Sequence, residues 1–311
     1  MQRPFSNVAV KRGRSVRRMF TWVLLALAIL IVSYFGLGLY VATRLTAPSN
    51  EPMAATPASV GLKFREVSLR STDGVRLSAW WVPKKGASRA VILVHGWGGN
   101  KSNEQILKTA PIYARAGYNV LMMDLRGHGQ SEAVRRTLGY QETRDVRGAL
   151  GWLEKKGFGP GEIVLHGWSM GAATVVRSAP GTGVAAVVED SGYADLPLLL
   201  NRSLPENSGL PSFFNFGTML MAKVFLNFDA WAVVPYHQAS ELAKSGTTLF
   251  IIHSTTDQTV PFEQARLFRK ADPKAAFWKL EGYEHVDSYT APDYREKLLD
   301  FLRELKAKEA A

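Results

Sequence analysis

The stretch Glu162-Ile163-Val164-Leu165-His166-Gly167-Trp168-Ser169-Met170-Gly171 joins a short apolar run to the pattern G-x-S-x-G. The small and apolar residues 172–176 follow it. This order predicts a strand, a sharp turn with Ser169 at its tip, and then a helix. We expect a Cβ at Gly167 or Gly171 to collide with the neighbouring helix or strand. The serine hydroxyl should therefore project away from the sheet, where it could act as a nucleophile.

Strands and helices alternate on both sides of this turn. The sequence opens its folded part with a hairpin at Asp73-Gly74, and buried strands and amphipathic helices follow. The predicted strands are 64–70, 75–82, 90–94, 119–124, 162–166, 184–188, 247–252 and 276–280. This pattern predicts an α/β fold over residues 61–311, with a mostly parallel sheet of about eight strands and helices on both faces.

Residues 192–245 interrupt the alternation, because they are far longer than an ordinary connection. The segment is rich in leucine, methionine and phenylalanine. We interpret it as a small helical cap over the active site. Its apolar side chains could pack a core of their own, or they could line a wall of the substrate pocket.

A serine nucleophile needs a base, and the base needs an orienting acid. In folds with this turn, the acid and the histidine follow later strands in that order. Asp257 follows the strand predicted at 247–252, and His285 follows the strand predicted at 276–280. Asp190 is a rival acid, since it also follows a strand end. Asp190 could instead cap the first helix of the cap or brace the loop that carries Asp257.

The tetrahedral intermediate of acyl transfer needs two N–H donors. The first candidate is the backbone N–H of Met170, which begins the helix after the serine. The second is the backbone N–H of Trp97, in the loop His95-Gly96-Trp97-Gly98-Gly99-Asn100. Since both donors are backbone groups, the two side chains are expected to matter mainly for the shape of the pocket.

No metal or cofactor is predicted. The chain has no cysteine, which excludes disulfides, thiolate metal ligands and a cysteine nucleophile. No two histidines have the spacing of metal ligands on one helix face. We expect His95 to anchor its loop, His128 to brace a turn and His166 to lie within a strand. His237 and His253 receive no role from the sequence.

The N-terminal region carries the strongest membrane signal. Residues 20–42 are mostly apolar and uncharged, and as a helix they would be about 34 Å long, enough to cross a hydrocarbon core. A cleaved signal peptide is the alternative, but the apolar run is longer than usual for one. We predict an uncleaved signal-anchor at 20–42, then an extended linker at 43–60. The basic segment before the anchor, residues 1–19, predicts a cytoplasmic N-terminus. The hydrolase domain would then lie outside the cytoplasm, at the plasma (inner) membrane.

The net charge of +11 does not indicate nucleic-acid binding. Six of the positive charges lie in residues 1–19, where no acidic residue offsets them. The remaining sequence shows no basic stripe with interleaved aromatic residues. The basic segment is better explained by attraction to anionic lipid.

Five features together resemble the α/β-hydrolase family. They are the loop at 95–100, the turn Asp124-Leu125-Arg126-Gly127-His128-Gly129-Gln130-Ser131, the Ser169 turn, the Asp257 turn and His285. The resemblance covers about residues 62–306. The sequence is similar in particular to membrane-anchored bacterial esterases and lysophospholipase-like proteins. The resemblance implies the α/β-hydrolase fold and a Ser-Asp-His serine hydrolase, but it implies no particular substrate.

The expected function is a membrane-anchored serine hydrolase. Its expected partner is a small-molecule carboxylic ester or thioester of an acyl or lipid-like compound. Two alternatives remain open: a serine peptidase acting on short peptides, and a catalytically silent binding module. The first would need an acidic site for the peptide amine, which we do not locate in the cap. The second would be favoured by loss of Ser169, Asp257 or His285, and all three are present.

Overall fold

A single eight-stranded sheet organises the protein. The computed structural model describes residues 8–49 and 51–310. The strands lie side by side in the order β1-β2-β4-β3-β5-β6-β7-β8. Their bounds are β1 Arg65–Arg70, β2 Arg76–Val82, β3 Arg89–Val94, β4 Tyr118–Met123, β5 Ile163–Trp168, β6 Ala186–Asp190, β7 Thr248–Ser254 and β8 Ala276–Leu280. The predicted number of strands is confirmed, and the predicted bounds differ from these by two residues or fewer.

The sheet is antiparallel only at its first edge. β1 pairs with β2 through the turn at 71–74, and β2 pairs with β4, both antiparallel. All pairs from β4 through β8 are parallel. The carboxyl ends of β3, β5, β6, β7 and β8 therefore meet at one edge of the sheet, where ligands bind in open α/β sheets.

Helices cover both faces of the sheet. Their bounds are α1 Val8–Leu45, α2 Glu104–Arg115, α3 Thr143–Glu154, α4 Met170–Ser178, α5 Leu196–Ser208, α6 Phe214–Leu226, α7 Pro235–Ser245, α8 Glu263–Ala271 and α9 Tyr294–Ala310. Successive side chains of a strand point to opposite faces, so Ile92 joins one apolar cluster and Leu93 the other. Each face thus buries its own core, as the alternation of strands and helices predicts.

The segment predicted as a cap divides into two parts. α5 and α6 form a small helical unit, whereas α7 packs against α4, α8 and β7. Ala239 and Leu242 of α7 are fully buried in the core beneath the sheet. The reason is topological: a parallel strand such as β7 needs a crossover, and α7 supplies it. The insert above the sheet therefore ends near residue 232 rather than at 245.

α1 is a continuous helix of 38 residues. Its stretch Val16–Leu45 is long and apolar enough to cross a membrane, and most of it is exposed. Residues 1–7 of the predicted basic segment lie outside the described residues, as does Asn50 of the predicted linker.

The segment predicted as an extended linker begins inside α1 and then lies on the hydrolase domain. Ser49 N–H donates to Gly127 O at 2.8 Å, and Ala54 N–H donates to Ser102 Oγ at 2.9 Å. Asn100 Nδ2 donates to the carbonyl of Glu51 at 3.1 Å. These bonds attach the segment to the loops after β3 and β4, because a carbonyl, a hydroxyl and a side-chain amide of those loops pair with the backbone of the segment.

Two glycines of α3 provide a matched test of this packing. A Cβ on Gly148 would overlap the carbonyl of Arg70 and lie 2.7 Å from Ser71 Cα, whereas a Cβ on Gly151 would meet nothing within 4 Å. We expect Gly148→Ala to destabilise the protein by about 1–3 kcal/mol through overpacking against the end of β1. Gly151→Ala should stabilise it by up to about 1 kcal/mol, because alanine is the better helix former.

Thermal unfolding of the detergent-solubilised full chain measures both changes. The two melting temperatures should move in opposite directions from that of the wild type. Equal shifts for the two variants would show that α3 does not contact the β1 turn as described.

Candidate active site

Ser169 occupies a strained turn between β5 and α4. Its backbone has φ 55° and ψ −120°, a conformation that L-residues rarely adopt. A Cβ on Gly167 would overlap the backbone of Gly171, and a Cβ on Gly171 would overlap the carbonyls of Val94 and His95. The collisions expected from the sequence are confirmed. The close approach of β3, β5 and α4 therefore leaves Ser169 at the tip of the turn, half-buried.

The structure brings Ser169, His285 and Asp257 into one hydrogen-bonded chain. His285 Nε2 lies 2.8 Å from Ser169 Oγ, and His285 Nδ1 lies 2.7 Å from Asp257 Oδ2. His285 stands in the loop after β8, and Asp257 in the loop after β7. These three elements are separated in sequence but end at the same edge of the sheet. The arrangement can move a proton from the serine hydroxyl to the imidazole.

Backbone donors hold the carboxylate of Asp257 in place. Its Oδ1 accepts hydrogen bonds from the N–H groups of Thr259 and Val260, both at 2.9 Å. The side chain is almost completely buried. Because Oδ1 is occupied, Oδ2 is the oxygen left to face His285. The imidazole is thereby fixed with Nδ1–H toward the carboxylate and Nε2 toward the serine.

A second histidine, His253, lies beside Asp257 and was given no role from the sequence. Its Nε2 is 3.6 Å from Asp257 Oδ2 and 2.8 Å from the carbonyl of Val260. Burial lowers the pKa of His253, so it remains a neutral ring that donates Nε2–H to the carbonyl. His253 thus braces the turn that carries Asp257. Its position four residues before the acid, at the end of β7, is the signal that could have suggested this.

Asp190 braces the loop that carries His285. It is fully buried, and its Oδ2 accepts a hydrogen bond from the hydroxyl of Ser288, three residues after His285. Its carbonyl accepts the N–H of Ser169 at 2.9 Å. The helix cap suggested for it belongs to Asp195, whose side chain accepts from Leu198 N–H. Asp190 therefore links the serine turn to the histidine loop, a role that the sequence analysis did not consider.

The loop after β3 passes directly over Ser169. A Cβ on Gly96 would lie 3.1 Å from Ser169 Cβ, so only glycine permits this approach without displacement. Trp97, the next residue, is therefore carried to the rim of the serine turn. Met170 is the first residue of α4 and is buried. Its N–H belongs to the first turn of that helix, whose amides have no partner inside the helix.

Buried polar contacts hold the loops after β3 and β4 together. Leu125 N–H donates to His95 Nε2 at 3.1 Å, and His128 Nδ1 lies 2.8 Å from the carbonyl of Arg126. The expected bracing roles of His95 and His128 are confirmed. Burial lowers the pKa of His128 to about 2 and that of His95 below its usual value. A completely buried ion pair, Lys101 with Asp124 at 2.5 Å, ties the two loops further.

Arg136 is a residue of the rim that the sequence analysis missed. Its guanidinium lies 4.8 Å from the ring centroid of Trp97, within the range of a cation–π interaction. The side chain of Arg136 is buried, while that of Trp97 is 48% exposed. Arg136 N–H also donates to the carbonyl of Thr46, just beyond α1, at 2.9 Å. The end of α1 is thereby connected to the loop that passes over Ser169.

Within residues 8–49 and 51–310, no group of three or more histidine, aspartate or glutamate side chains is placed to hold a metal ion.

This fold and this site together define the class of α/β-hydrolases, in which a serine lies on a strand-to-helix turn and an acid and a histidine follow later strands. Residues 91–294 match the model of the Alpha/beta hydrolase family. The chain belongs to that family.

Individual relatives extend the comparison. YqkD of Bacillus subtilis (strain 168) is 28% identical over 242 residues, which cover 75% of this chain and 77% of that protein. The lysophosphatidylserine lipase ABHD12 of Macaca fascicularis is 22% identical over 242 residues, covering 72% of this chain and 58% of the lipase. The solved esterase Pf2001 of Pyrococcus furiosus superposes with a TM-score of 0.67 at 24% identity, covering 83% of this chain and 98% of the esterase. That superposition shows the shared fold.

The titration of Asp190 gives a testable pH dependence. Burial raises the pKa of Asp190 from its usual 3.8 to about 7. Between these two values the folded state retains a proton that the unfolded chain releases. The free energy of unfolding should therefore fall as pH rises from about 4 to 7. In Asp190→Asn, which mimics the protonated carboxyl, this contribution should be absent.

Urea denaturation of both proteins between pH 4.5 and 8 measures the effect. The stability of the variant relative to the wild type should increase with pH across this range. A constant difference would show that Asp190 does not titrate there.

Proposed function

We propose that this protein is a membrane-anchored serine hydrolase that cleaves carboxylic ester or thioester bonds of acyl or lipid-like substrates. The observation that carries the proposal is the hydrogen-bonded chain from Ser169 Oγ through His285 to Asp257. Family membership and the esterase and lipase names among the relatives support a hydrolase of ester substrates.

In the first half of the reaction, Ser169 Oγ attacks the carbonyl carbon while its proton passes to His285 Nε2. Asp257 accepts the hydrogen bond from His285 Nδ1–H and stabilises the imidazolium that forms. His285 then gives the proton to the departing alkoxide or thiolate. The product of this half is an acyl ester of Ser169 and a free alcohol or thiol.

In the second half, water attacks the acyl-enzyme. His285 accepts a proton from that water and returns it to Ser169 Oγ as the carboxylic acid leaves. During both halves the oxyanion would be held by the backbone N–H groups of Met170 and Trp97. Each such donor contributes about 3 kcal/mol of transition-state stabilisation. The closeness of Gly96 to Ser169 supports Trp97 in this role.

The packing of α1 supports an anchor that is retained. Ala42, near the end of α1, is 1% exposed and belongs to the main apolar core, and Thr46 just beyond it is fully buried. Removal of α1 as a signal peptide would strip Ala42 from this core and leave Thr46 at a new chain end. The positive charges before the apolar stretch favour a cytoplasmic N-terminus. The hydrolase would then face the extracytoplasmic side of the plasma (inner) membrane.

The nucleophile is tested by labelling with a fluorophosphonate probe. We expect the full chain in detergent to be labelled and Ser169→Ala to remain unlabelled, because the probe reacts with an activated serine hydroxyl. Ester hydrolysis by the variant should fall by about 10⁴-fold or more, as it does when other triad serines are removed. Ser245→Ala, at the end of α7, is the control and should behave as the wild type.

Absence of labelling in the folded wild-type protein would contradict the proposed mechanism. Equal labelling of the wild type and Ser169→Ala would place the reactive serine elsewhere.

The acyl specificity is tested with soluble p-nitrophenyl esters of increasing chain length. If the acyl chain is buried in an apolar site, kcat/KM should rise by up to about fourfold per methylene, the equivalent of about 0.8 kcal/mol. Hydrolysis by Ser169→Ala provides the background rate. Rates that do not depend on acyl length would exclude an acyl-binding site and would leave an esterase of small substrates.

A further inference from the structure

The cap contains a continuous uncharged surface that the hydrolase mechanism does not use. Residues 207–222 carry no charged side chain and are bounded by Glu206 and Lys223. Within them, Phe213 is 62% exposed and Phe216 is 57% exposed. We name residues 207–222 the cap foot. Large apolar side chains so exposed next to one another mark an interaction surface.

The cap foot is packed against α1. Tyr34 Oη donates to the carbonyl of Phe213 at 2.7 Å and accepts Gly217 N–H at 3.0 Å. One turn further along, a Cβ on Gly38 would lie 2.8 Å from the backbone of Gly217. Close backbone approach at small residues is how helices associate inside membranes. α6 and the second half of α1 therefore form one packed pair of helices.

The position of these contacts along α1 fixes their depth in a bilayer. Tyr34 lies 16 residues beyond Arg18, the last charged residue before the apolar stretch, which is about 24 Å along the helix. The hydrocarbon core is about 30 Å thick. If the core begins at Arg18, then Tyr34 and its partner Phe213 lie about 6 Å inside the opposite boundary. Helices that lie in a membrane interface bury their apolar face to a depth of about 5–10 Å.

A groove between the two helices opens at the same level. It has a volume of about 430 Å³ and is lined by side chains that include Leu30, Tyr34, Phe35 and Phe214. Most of its lining is apolar, and it continues the exposed apolar side of α1. A lipid acyl chain fits the chemistry of this groove.

We propose that the cap foot is inserted in the outer leaflet of the membrane beside α1, with lipid acyl chains as its partner. The proposal rests on the membrane anchor proposed above, but not on the hydrolytic reaction. α6 has 13 residues and is about 20 Å long, too short to cross a core of about 30 Å. It therefore enters one leaflet only.

Charged residues bound the inserted surface on its water side. α6 runs in the same direction as α1, since Tyr34 bonds to Phe213 and Gly38, further along α1, lies against Gly217 and Thr218. Lys223 follows in α6 and pairs with Asp229 at 2.7 Å. Arg44 is 26 residues beyond Arg18, or about 39 Å, at the level of the lipid headgroups. Lys223 and Arg44 thus lie on the water side of the inserted surface.

This arrangement holds the active-site edge of the sheet toward the membrane. Thr46, directly after α1, accepts Arg136 N–H at 2.9 Å, and Arg136 stacks on Trp97 beside the serine turn. A lipid-like substrate would then reach the site from the leaflet in which the cap foot is inserted.

Site-specific fluorescence in vesicles tests the proposal. The chain has no cysteine, so single cysteines can be labelled cleanly in the full-length protein. Phe216→Cys probes the cap foot, Val32→Cys in exposed α1 is the bilayer reference, and Lys244→Cys on α7 is the control. Each carries an environment-sensitive dye in phosphatidylcholine–phosphatidylglycerol vesicles. The quencher is a phospholipid with a nitroxide on its acyl chain, and iodide is the aqueous quencher.

We expect acyl-chain quenching at position 216 to be similar to that at 32 and at least about threefold stronger than at 244, because insertion places the dye among the lipid chains. Iodide should quench the dye at position 244 but not the dye at position 216 or at position 32. If lipid quenches the dye at position 32 but only iodide quenches the dye at position 216, the proposal is overturned and the anchor stays intact. A dye at 216 that neither agent quenches would indicate protein contact, which also overturns it. Failure of lipid to quench 32 would overturn both the anchor and the inserted cap foot.

None of these quenching results depends on catalysis. Ser169 labelling of the same vesicles reports the hydrolase separately, so the two proposals can fail independently.

Discussion

The close approach of β3, β5 and α4 around Ser169 is the constraint on which the site depends. Three glycines, at positions 96, 167 and 171, allow backbones to pass where side chains would overlap. Their approach holds the serine in a conformation that costs of order 1–3 kcal/mol in a free chain. The same crowding carries the loop of Trp97 over the turn. A single packing requirement thus sets both the exposure of the hydroxyl and the place of the neighbouring amides.

The charged and neutral groups around that turn have separate roles, and burial determines which groups are neutral. Burial lowers the pKa of both His95 and His128 and so favours their neutral forms, which join loops without adding charge beside the serine. Asp257 receives two backbone N–H bonds and keeps one oxygen for His285. Asp190, whose pKa burial raises, joins the serine turn to the histidine loop. Neutral histidines and hydrogen-bonded carboxyl groups thus position the site together.

Local signals were sufficient for the sheet, the turn and the order of Ser169, Asp257 and His285. Each depends on periodicity, turn residues or position after a strand, which short stretches of sequence record. The role of Asp190, the crossover α7 and the contact between α1 and the cap were not predicted. Tyr34 and Phe213 are 179 residues apart, and a local sequence pattern does not determine which distant residue a side chain will contact. The phenylalanines of the predicted cap include Phe213 and Phe214, which stack on Tyr34 of α1.

The crossing of Gly38 and Gly217 has a consequence for how such a chain can change over time. A Cβ on Gly38 would overlap the backbone of Gly217, and a Cβ on Gly217 would overlap the ring of Tyr34, so a larger residue at either position would require a compensating shift in the facing helix. α1 and the cap are thus complementary surfaces, although one precedes the sheet and the other is inserted within it. Exchange of α1 for an unrelated apolar helix would preserve hydropathy but lose the fit. In this protein α1 and the cap are therefore expected to change together.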